Sequence, residues 1–105
     1  MAIARMWYWP GDGGYVAFQT REGVVYRLSS RLFPAVRGLA AREPADPSLV
    51  QRFDAGGTAW GAVGVDNARP RSDGTLWLSP VSGPLRLELT AVESATLAAL
   101  IELRL

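Results

Sequence analysis

The fold is decided by residues 85–100, LRLELTAVESATLAAL, where a strand pattern gives way to a helix pattern. Leucines alternate with Arg86 and Glu88, which is the period-2 pattern of a strand with one buried face. Thr90 and Glu93 have the spacing of a capping box, in which each side chain accepts a hydrogen bond from the backbone N–H of the other residue. A strand that leads directly into a long helix indicates a domain with both kinds of structure.

Toward the beginning of the chain, the sequence predicts three consecutive strands. Residues 3–9, 15–20 and 24–28 are apolar or alternate between apolar and polar side chains, and turns containing glycine separate them. Because strands joined by short turns pair with each other, these three strands predict an antiparallel meander.

A helix is predicted after the third strand. Ser29 and Ser30 are suitable N-caps, Pro34 is tolerated only in the first turn, and the helix should end before Pro44. The apolar residues at helical spacing are Leu32, Phe33, Val36, Leu39 and Ala40.

The remaining segments predict shorter elements. Residues 48–52 fit either a short helix or a strand. The other elements are a glycine-interrupted strand at 59–65, a polar loop at 67–74 that closes in an Asp73-Gly74 turn, and a strand at 76–79. Together the patterns predict one α+β domain over residues 1–105, with an antiparallel sheet of five to six strands, one mid-chain helix and one C-terminal helix packed on the sheet.

The composition excludes the commonest catalytic groups. The chain has no Cys, no His and no Lys, so all eleven basic residues are Arg. Thiol nucleophiles, His-based catalytic triads and lysine Schiff bases are therefore excluded. The spacing of Asp54, Asp66 and Asp73 matches no EF-hand loop. We expect a protein that is not an enzyme and that uses no cofactor and no metal.

Charge and hydropathy predict a cytoplasmic protein. The net charge of +1 gives no strong attraction to nucleic acid or to an anionic membrane. Residues 1–11 have no apolar core long enough for a signal peptide, and no stretch approaches the roughly 18 apolar residues of a membrane-spanning helix.

Aromatic residues concentrate in the first predicted strands. Trp7 and Trp9 share one face of a strand, and Tyr8 takes the other. Two interpretations are open: the rings fill a small core, or exposed rings stack on single-stranded bases while nearby arginines hold phosphates. The candidate residues for contact with a partner or with bases are Trp7, Trp9, Tyr8, Tyr15, Arg5, Arg21 and Arg27.

A second group of candidates lies in the predicted polar loop. Arg69 and Arg71 flank Pro70, and two guanidinium groups on a stiffened segment can clamp a phosphate or a carboxylate. The alternative is an ordinary solvated loop.

The C-terminal helix is apolar around most of its circumference, whereas a helix that covers one sheet needs an apolar stripe of only about 100°. A second copy of the chain is the simplest cover for the other side. We therefore predict a homodimer through Leu97, Leu100, Ile101 and Leu103. The alternative is that the alanines of this helix face water.

Several short motifs occur together within residues 14–67. They are Tyr15–Thr20, Glu22-Gly23, residues 25–28, Phe33-Pro34, Gly56-Gly57, Trp60 and Val65-Asp66. This arrangement resembles a family of small bacterial domains of unknown function. The resemblance implies an antiparallel sheet with one helix. It also implies regulation or partner binding, because some members accompany helix-turn-helix domains or toxin–antitoxin genes.

The last strand and helix have two further resemblances. Residues 85–100 resemble the sheet-to-helix entry of OmpR-type winged-helix domains, but no recognition helix follows them. They also resemble the end of coactivator-type single-stranded DNA-binding dimers, which pair through the C-terminal helix and bind with a basic, aromatic sheet.

The sequence therefore favours a small bacterial binding or regulatory module that acts through contact with an unidentified protein. The alternative hypothesis is a single-stranded nucleic-acid-binding protein that uses the aromatic residues of the first strand and dimerises through the C-terminal helix.

Overall fold

A computed structural model describes residues 2–9, 14–51 and 61–102. Within these residues the strands are β1 (Ile3–Trp9), β2 (Tyr15–Thr20), β3 (Val25–Ser29), β4 (Val50–Gln51), β5 (Val63–Pro70), β6 (Leu76–Pro80) and β7 (Leu87–Leu89). The helices are α1 (Phe33–Val36) and α2 (Ala91–Ile101), and the 3-10 turns are Ser30–Leu32, Arg37–Ala41 and Pro47–Leu49.

The α+β class is confirmed, but the predicted antiparallel sheet of five to six strands is wrong. The described residues form one mixed sheet of seven strands in the order β4-β1-β2-β3-β5-β6-β7. Two neighbouring pairs, β1 with β4 and β3 with β5, are parallel. Parallel neighbours need a long crossover connection, and the helical segment after β3 begins that crossover.

The meander and the helical segment follow the local sequence patterns. The first two predicted strands are confirmed with their boundaries, and the third is shifted by one residue. The segment at 48–52 contains both predicted alternatives, a 3-10 turn followed by β4. The mid-chain helix is confirmed, with Pro34 in its first turn, but only four residues are α-helical and 3-10 turns flank them.

The predicted polar loop at 67–74 is wrong for residues 67–70, because β5 continues through Pro70, whereas the predicted Asp73-Gly74 turn is confirmed. A bulge between Val65 and Asn67 shifts the register, so that Val65 and Ala68 are both buried while the polar residues near them are exposed. The predicted strand at 59–65 begins later, at Val63, and residues 59 and 60 lie outside the described residues.

Leu85 was predicted to be a buried strand residue, but it precedes β7 and is 97% exposed. The pairing of β6 with β7 ends where Leu78 faces Leu87. Beyond Leu78, β6 continues to pair with β5, and Pro80 faces Val65, but its pairing with β7 has ended, so Leu85 has no partner in β6.

The capping box predicted at the start of α2 is confirmed. Glu93 N donates to Thr90 Oγ1 at 3.2 Å, and Thr90 N donates to Glu93 Oε1 at 2.9 Å. The second oxygen of the same carboxylate, Oε2, accepts from the backbone N–H of Ile3 at 3.2 Å. Glu93 therefore fixes the beginning of α2 against the beginning of β1.

Helix α2 is enclosed by its own chain. All residues from Ser94 to Ile101 are buried, and the helix contacts β1, β2 and β7 as well as α1 and the Arg37–Ala41 turn. Its buried hydroxyls are satisfied, because Thr96 Oγ1 donates to Val92 O at 2.7 Å and accepts from Asp46 N at 2.9 Å.

This burial removes the reason for predicting a dimer through α2. Leu97, Leu100 and Ile101 are buried within a single chain, and Leu103 lies outside the described residues. The expectation that α2 is covered on more than one side was right, but α1, the 3-10 turn and the sheet provide the cover. A homodimer stays a prediction, but the apolar circumference of α2 no longer supports it.

The sheet has two different faces because neighbouring side chains on a strand point in opposite directions. Met6, Phe18 and Tyr26 are partners in one cross-strand row and belong to the core beneath the helices. We call the opposite side, away from α1 and α2, the far face. Across the part of the chain that the structure describes, no helix has the length and hydropathy needed to cross a membrane.

Candidate functional site

The far face interleaves aromatic rings with arginines. One cross-strand row of this face contains Trp7, Ala17 and Arg27. Guanidinium carbons lie near ring centroids in four pairs: Arg5 with Trp7 at 5.2 Å, Arg27 with Tyr15 at 5.8 Å, Arg71 with Trp77 at 4.0 Å and Arg86 with Trp77 at 3.7 Å. A guanidinium over an aromatic face is attracted by the ring's electron density, so these contacts orient the arginines.

The shortest of these contacts surround Trp77. Arg69 is the cross-strand partner of Trp77 on one side and Glu88 is its partner on the other, so the three residues form a row across β5, β6 and β7. Arg71 and Arg86 both stack on the Trp77 ring. We call Arg69, Arg71, Trp77 and Arg86 the arginine–tryptophan surface.

The turn between β5 and β6 places Arg71 beside Trp77. Arg71 N donates to Thr75 O at 2.8 Å, and Gly74 N donates to Arg71 O at 3.0 Å. Gly74 has a φ of +90°, a backbone conformation that favours glycine. The Arg42 guanidinium donates to the carbonyl of Ser72, which ties this turn to the helical segment.

Asp73 closes the same turn from its side chain. Its Oδ1 accepts from Thr75 Oγ1 at 2.6 Å and from Thr75 N at 3.0 Å. These hydrogen bonds favour the ionised carboxylate, the hydroxyl contributing most, and they hold the pKa of Asp73 below its ordinary value.

We expect the turn to loosen in acid. Because the pKa of Asp73 is lowered in the folded chain, its stabilisation is complete above the ordinary carboxyl pKa and is lost as the pH falls through the lowered one. An NMR titration of the Thr75 amide should show a midpoint below the ordinary aspartate pKa, and Asp73→Asn should abolish that transition. A midpoint at or above the ordinary value would contradict the hydrogen-bonding arrangement.

Stacking leaves the hydrogen-bonding edges of the guanidinium groups available. The planar face of the group lies on the ring, while its N–H donors point outward in the plane. Arg86 Nη2 donates to Glu88 Oε1 at 2.7 Å. Among the described residues, the side chains of Arg69 and Arg71 have no hydrogen-bond partner. Their charged donors are therefore free to bind a carboxylate or a phosphate.

The residues predicted from the first strands are arranged differently. Trp7 is 1% exposed, and Tyr15 and Ala17 are buried with it in a cluster on the far face. Trp9 is 37% exposed and its ring lies 6.4 Å from that of Tyr15. Tyr8 packs against the core on the helix side. The core interpretation therefore describes Trp7, Tyr8 and Tyr15, and Trp9 alone keeps a substantially exposed ring.

The predicted arginines also separate into two kinds. Arg5 Nε donates to Gln19 Oε1 at 2.6 Å and Arg5 Nη1 to Gln51 Oε1 at 2.9 Å, so this side chain links β1, β2 and β4. Arg27 is exposed above Tyr15. Arg21 is exposed in the turn between β2 and β3 and contributes no side-chain contact to the far face.

Sequence reasoning missed Trp77 and Arg86. The available signal was strand alternation: Trp77 takes the outward position between Leu76 and Leu78, and Arg86 precedes the outward Glu88. Treating residues 67–74 as a loop hid the fact that Arg69 and Arg71 lie at the end of a strand, beside these positions.

The carboxylates of the described residues do not gather at one place. Within residues 2–9, 14–51 and 61–102, no group of three or more His, Cys, Asp or Glu side chains could hold a metal ion. Asp66 is exposed on β5, Asp73 closes the turn after it, and Asp54 lies outside the described residues.

Comparison with known proteins finds no matching family model, no matching curated protein and no matching solved structure. The resemblance of residues 14–67 to small bacterial domains stays a prediction. What the chain does must therefore be argued from its own surface.

Proposed function

We propose that this chain is a non-catalytic binding module that docks an acidic segment of another protein on the arginine–tryptophan surface. One observation carries the proposal: two guanidinium groups stack on Trp77 at 4.0 and 3.7 Å, which orients their hydrogen-bond donors before any partner arrives. A pre-oriented side chain loses less conformational freedom on binding, so more of the interaction energy appears as affinity.

The composition of this surface suits a protein partner. Arg and Trp are among the residues that contribute most to binding at protein interfaces. Arg69, Arg71 and Arg86 bring three positive charges around Trp77, against two nearby carboxylates among the described residues: Glu88, which accepts from Arg86, and Asp73, which interacts with Arg71. The local excess of positive charge is complementary to carboxylates on a partner and would speed the encounter with them.

A nucleic-acid partner is less well supported. Binding of single strands depends on aromatic faces on which bases can stack. Trp7 and Tyr15 are buried, and the ring of Trp77 carries two arginines. Trp9 is left as the exposed ring of the predicted stacking group, which favours protein docking over base stacking.

We expect the chain to bind a fluorescent glutamate-rich peptide, and the double variant Arg71→Ala with Arg86→Ala to bind it at least about tenfold more weakly, the equivalent of losing one good charged contact. Fluorescence anisotropy at about 50 mM salt measures both affinities under conditions that also favour phosphate contacts. A glutamine-rich peptide of equal length should not bind.

Arg21→Ala is the matched control, because it removes an exposed arginine far from Trp77 and should leave the peptide affinity unchanged. Thermal unfolding followed by circular dichroism verifies that each variant is folded. Tighter binding to oligothymidine than to the peptide would support the nucleic-acid alternative. Equal peptide binding by the double variant and the parent would contradict docking at this surface.

A further inference from the structure

We infer that Glu88 occupies, in the free protein, the position that a partner's carboxylate takes on Arg86. This inference rests on the proposed docking function. It adds which chemical group of the partner binds to Arg86 and which side chain of this protein competes with that group. The ligand group is a carboxylate, and Glu88 is an internal competitor that weakens binding until the partner displaces it.

The geometry of β7 brings the competitor to the stack. Arg86 lies two residues before Glu88, so their side chains leave the chain on the same side. Arg86 Nη2 and Glu88 Oε1 are 2.7 Å apart, while the Arg86 guanidinium carbon lies 3.7 Å from the Trp77 ring centroid. One group therefore has its face on an aromatic ring and an edge on a carboxylate.

That arrangement shows which chemistry the edge accepts. A guanidinium edge presents parallel N–H donors that match the two oxygens of a carboxylate. Arg71 stacks on the same ring, and its side chain has no hydrogen-bond partner among the described residues. The surface thus contains two guanidinium groups stacked on one ring, of which Arg86 already donates to an acidic side chain of this chain.

The internal contact is easily exchanged. Both members of the Arg86–Glu88 pair are exposed, and exposed ion pairs contribute little to stability because water screens them. A partner carboxylate that binds Arg86 replaces this contact with one of the same kind. A partner that bridges Arg71 and Arg86 adds a contact that Glu88 does not make.

Glu88→Gln tests the inference because it should raise the affinity for the glutamate-rich peptide, whereas the arginine variants should lower it. The amide keeps the size of the side chain and removes its charge, so the glutamate-rich peptide should bind about two- to fivefold more tightly, as expected for loss of an exposed competing ion pair. Glu22→Gln is the matched control, since it removes the same charge from an exposed turn away from Trp77 and should leave the affinity unchanged.

A combined variant tests whether the effect of Glu88→Gln on the peptide affinity depends on Arg86. When Arg86→Ala is already present, Glu88→Gln should no longer increase the affinity. A phosphoserine peptide with the same total charge distinguishes the ligand groups: we expect the glutamate peptide to gain more from Glu88→Gln, and a larger gain for the phosphopeptide would assign the site to phosphate and overturn the inference.

The failures of the two proposals are distinguishable. If Glu88→Gln leaves the peptide affinity unchanged or lowers it, while the double arginine variant still loses binding, the internal competitor is wrong and the docking surface stands. If neither the arginine variants nor Glu88→Gln changes the affinity, the docking surface itself is wrong. An equal gain with Glu22→Gln would show that net charge, and not Glu88, sets the affinity.

Discussion

Replacing Trp7 by alanine is expected to lower the free energy of unfolding by about 3–5 kcal/mol, the range for removing a large aromatic side chain from a core. Trp7 is 1% exposed and packs with Tyr15 and Ala17 on the far face. Its removal leaves a cavity beside Ala17 and also ends the contact with the Arg5 guanidinium. Small domains have modest stability, so this loss is a large share of the total.

Trp9→Ala is the matched comparison, because Trp9 lies on the same face of the same strand but is 37% exposed. We expect its effect to stay below about 1–2 kcal/mol, as for substitutions that remove only part of a contact. Urea unfolding followed by circular dichroism gives both values. A stable Trp7→Ala variant that loses affinity for an oligonucleotide would contradict the core assignment and restore the base-stacking interpretation.

Leu97→Ala is expected to lower the free energy of unfolding by about 2–5 kcal/mol. Leu97 is fully buried in α2, and this helix contacts both the sheet and the helical segment of the same chain. Because a single chain provides this burial, the loss should be the same at all protein concentrations. Val92→Ala, on the same helix at a position 40% exposed, should cost less than about 1 kcal/mol.

The dependence of stability on protein concentration shows whether Leu97 stabilises a single chain or a dimer. A protein stabilised by association unfolds less easily as its concentration rises. We expect the difference between the urea midpoints of the parent and Leu97→Ala not to change with protein concentration, because one chain alone buries Leu97. A midpoint that rises with concentration in the parent and loses this dependence in Leu97→Ala would contradict enclosure within one chain and support the dimer.

Local patterns in the sequence predicted the parts of the fold that depend on neighbouring residues. The strands β1 and β2 were recognisable from their apolar runs and flanking turns, and α2 from the capping pair Thr90 and Glu93. The parallel pairing of β3 with β5 was not predictable in this way, because it joins residues that are far apart in the chain. The exposure of Leu85 was not predictable for the same reason, since it depends on where the pairing of β6 with β7 ends.

The candidate surface was predicted only in part. Arg69 and Arg71 were identified as an anion-binding pair, but Trp77 and Arg86 join them through pairing across β5, β6 and β7. No short stretch of sequence contains all four residues. The aromatic run at Trp7–Trp9 was conspicuous in the sequence, but most of it serves packing and not binding. Tyr8 packs on one side of β1 and Trp7 on the other.

The hydrogen bond between the Ile3 backbone and Glu93 has a consequence for synthesis of the chain. The two residues are 90 positions apart, so a ribosome makes nearly the whole sheet before the group that holds its first strand in place. Until α2 has left the exit tunnel, β1 and β2, which carry the core residues Met6 and Phe18, lack the cover that this helix gives them. We therefore expect a chain whose translation stops before α2 to expose apolar core residues and to aggregate more readily than the full chain.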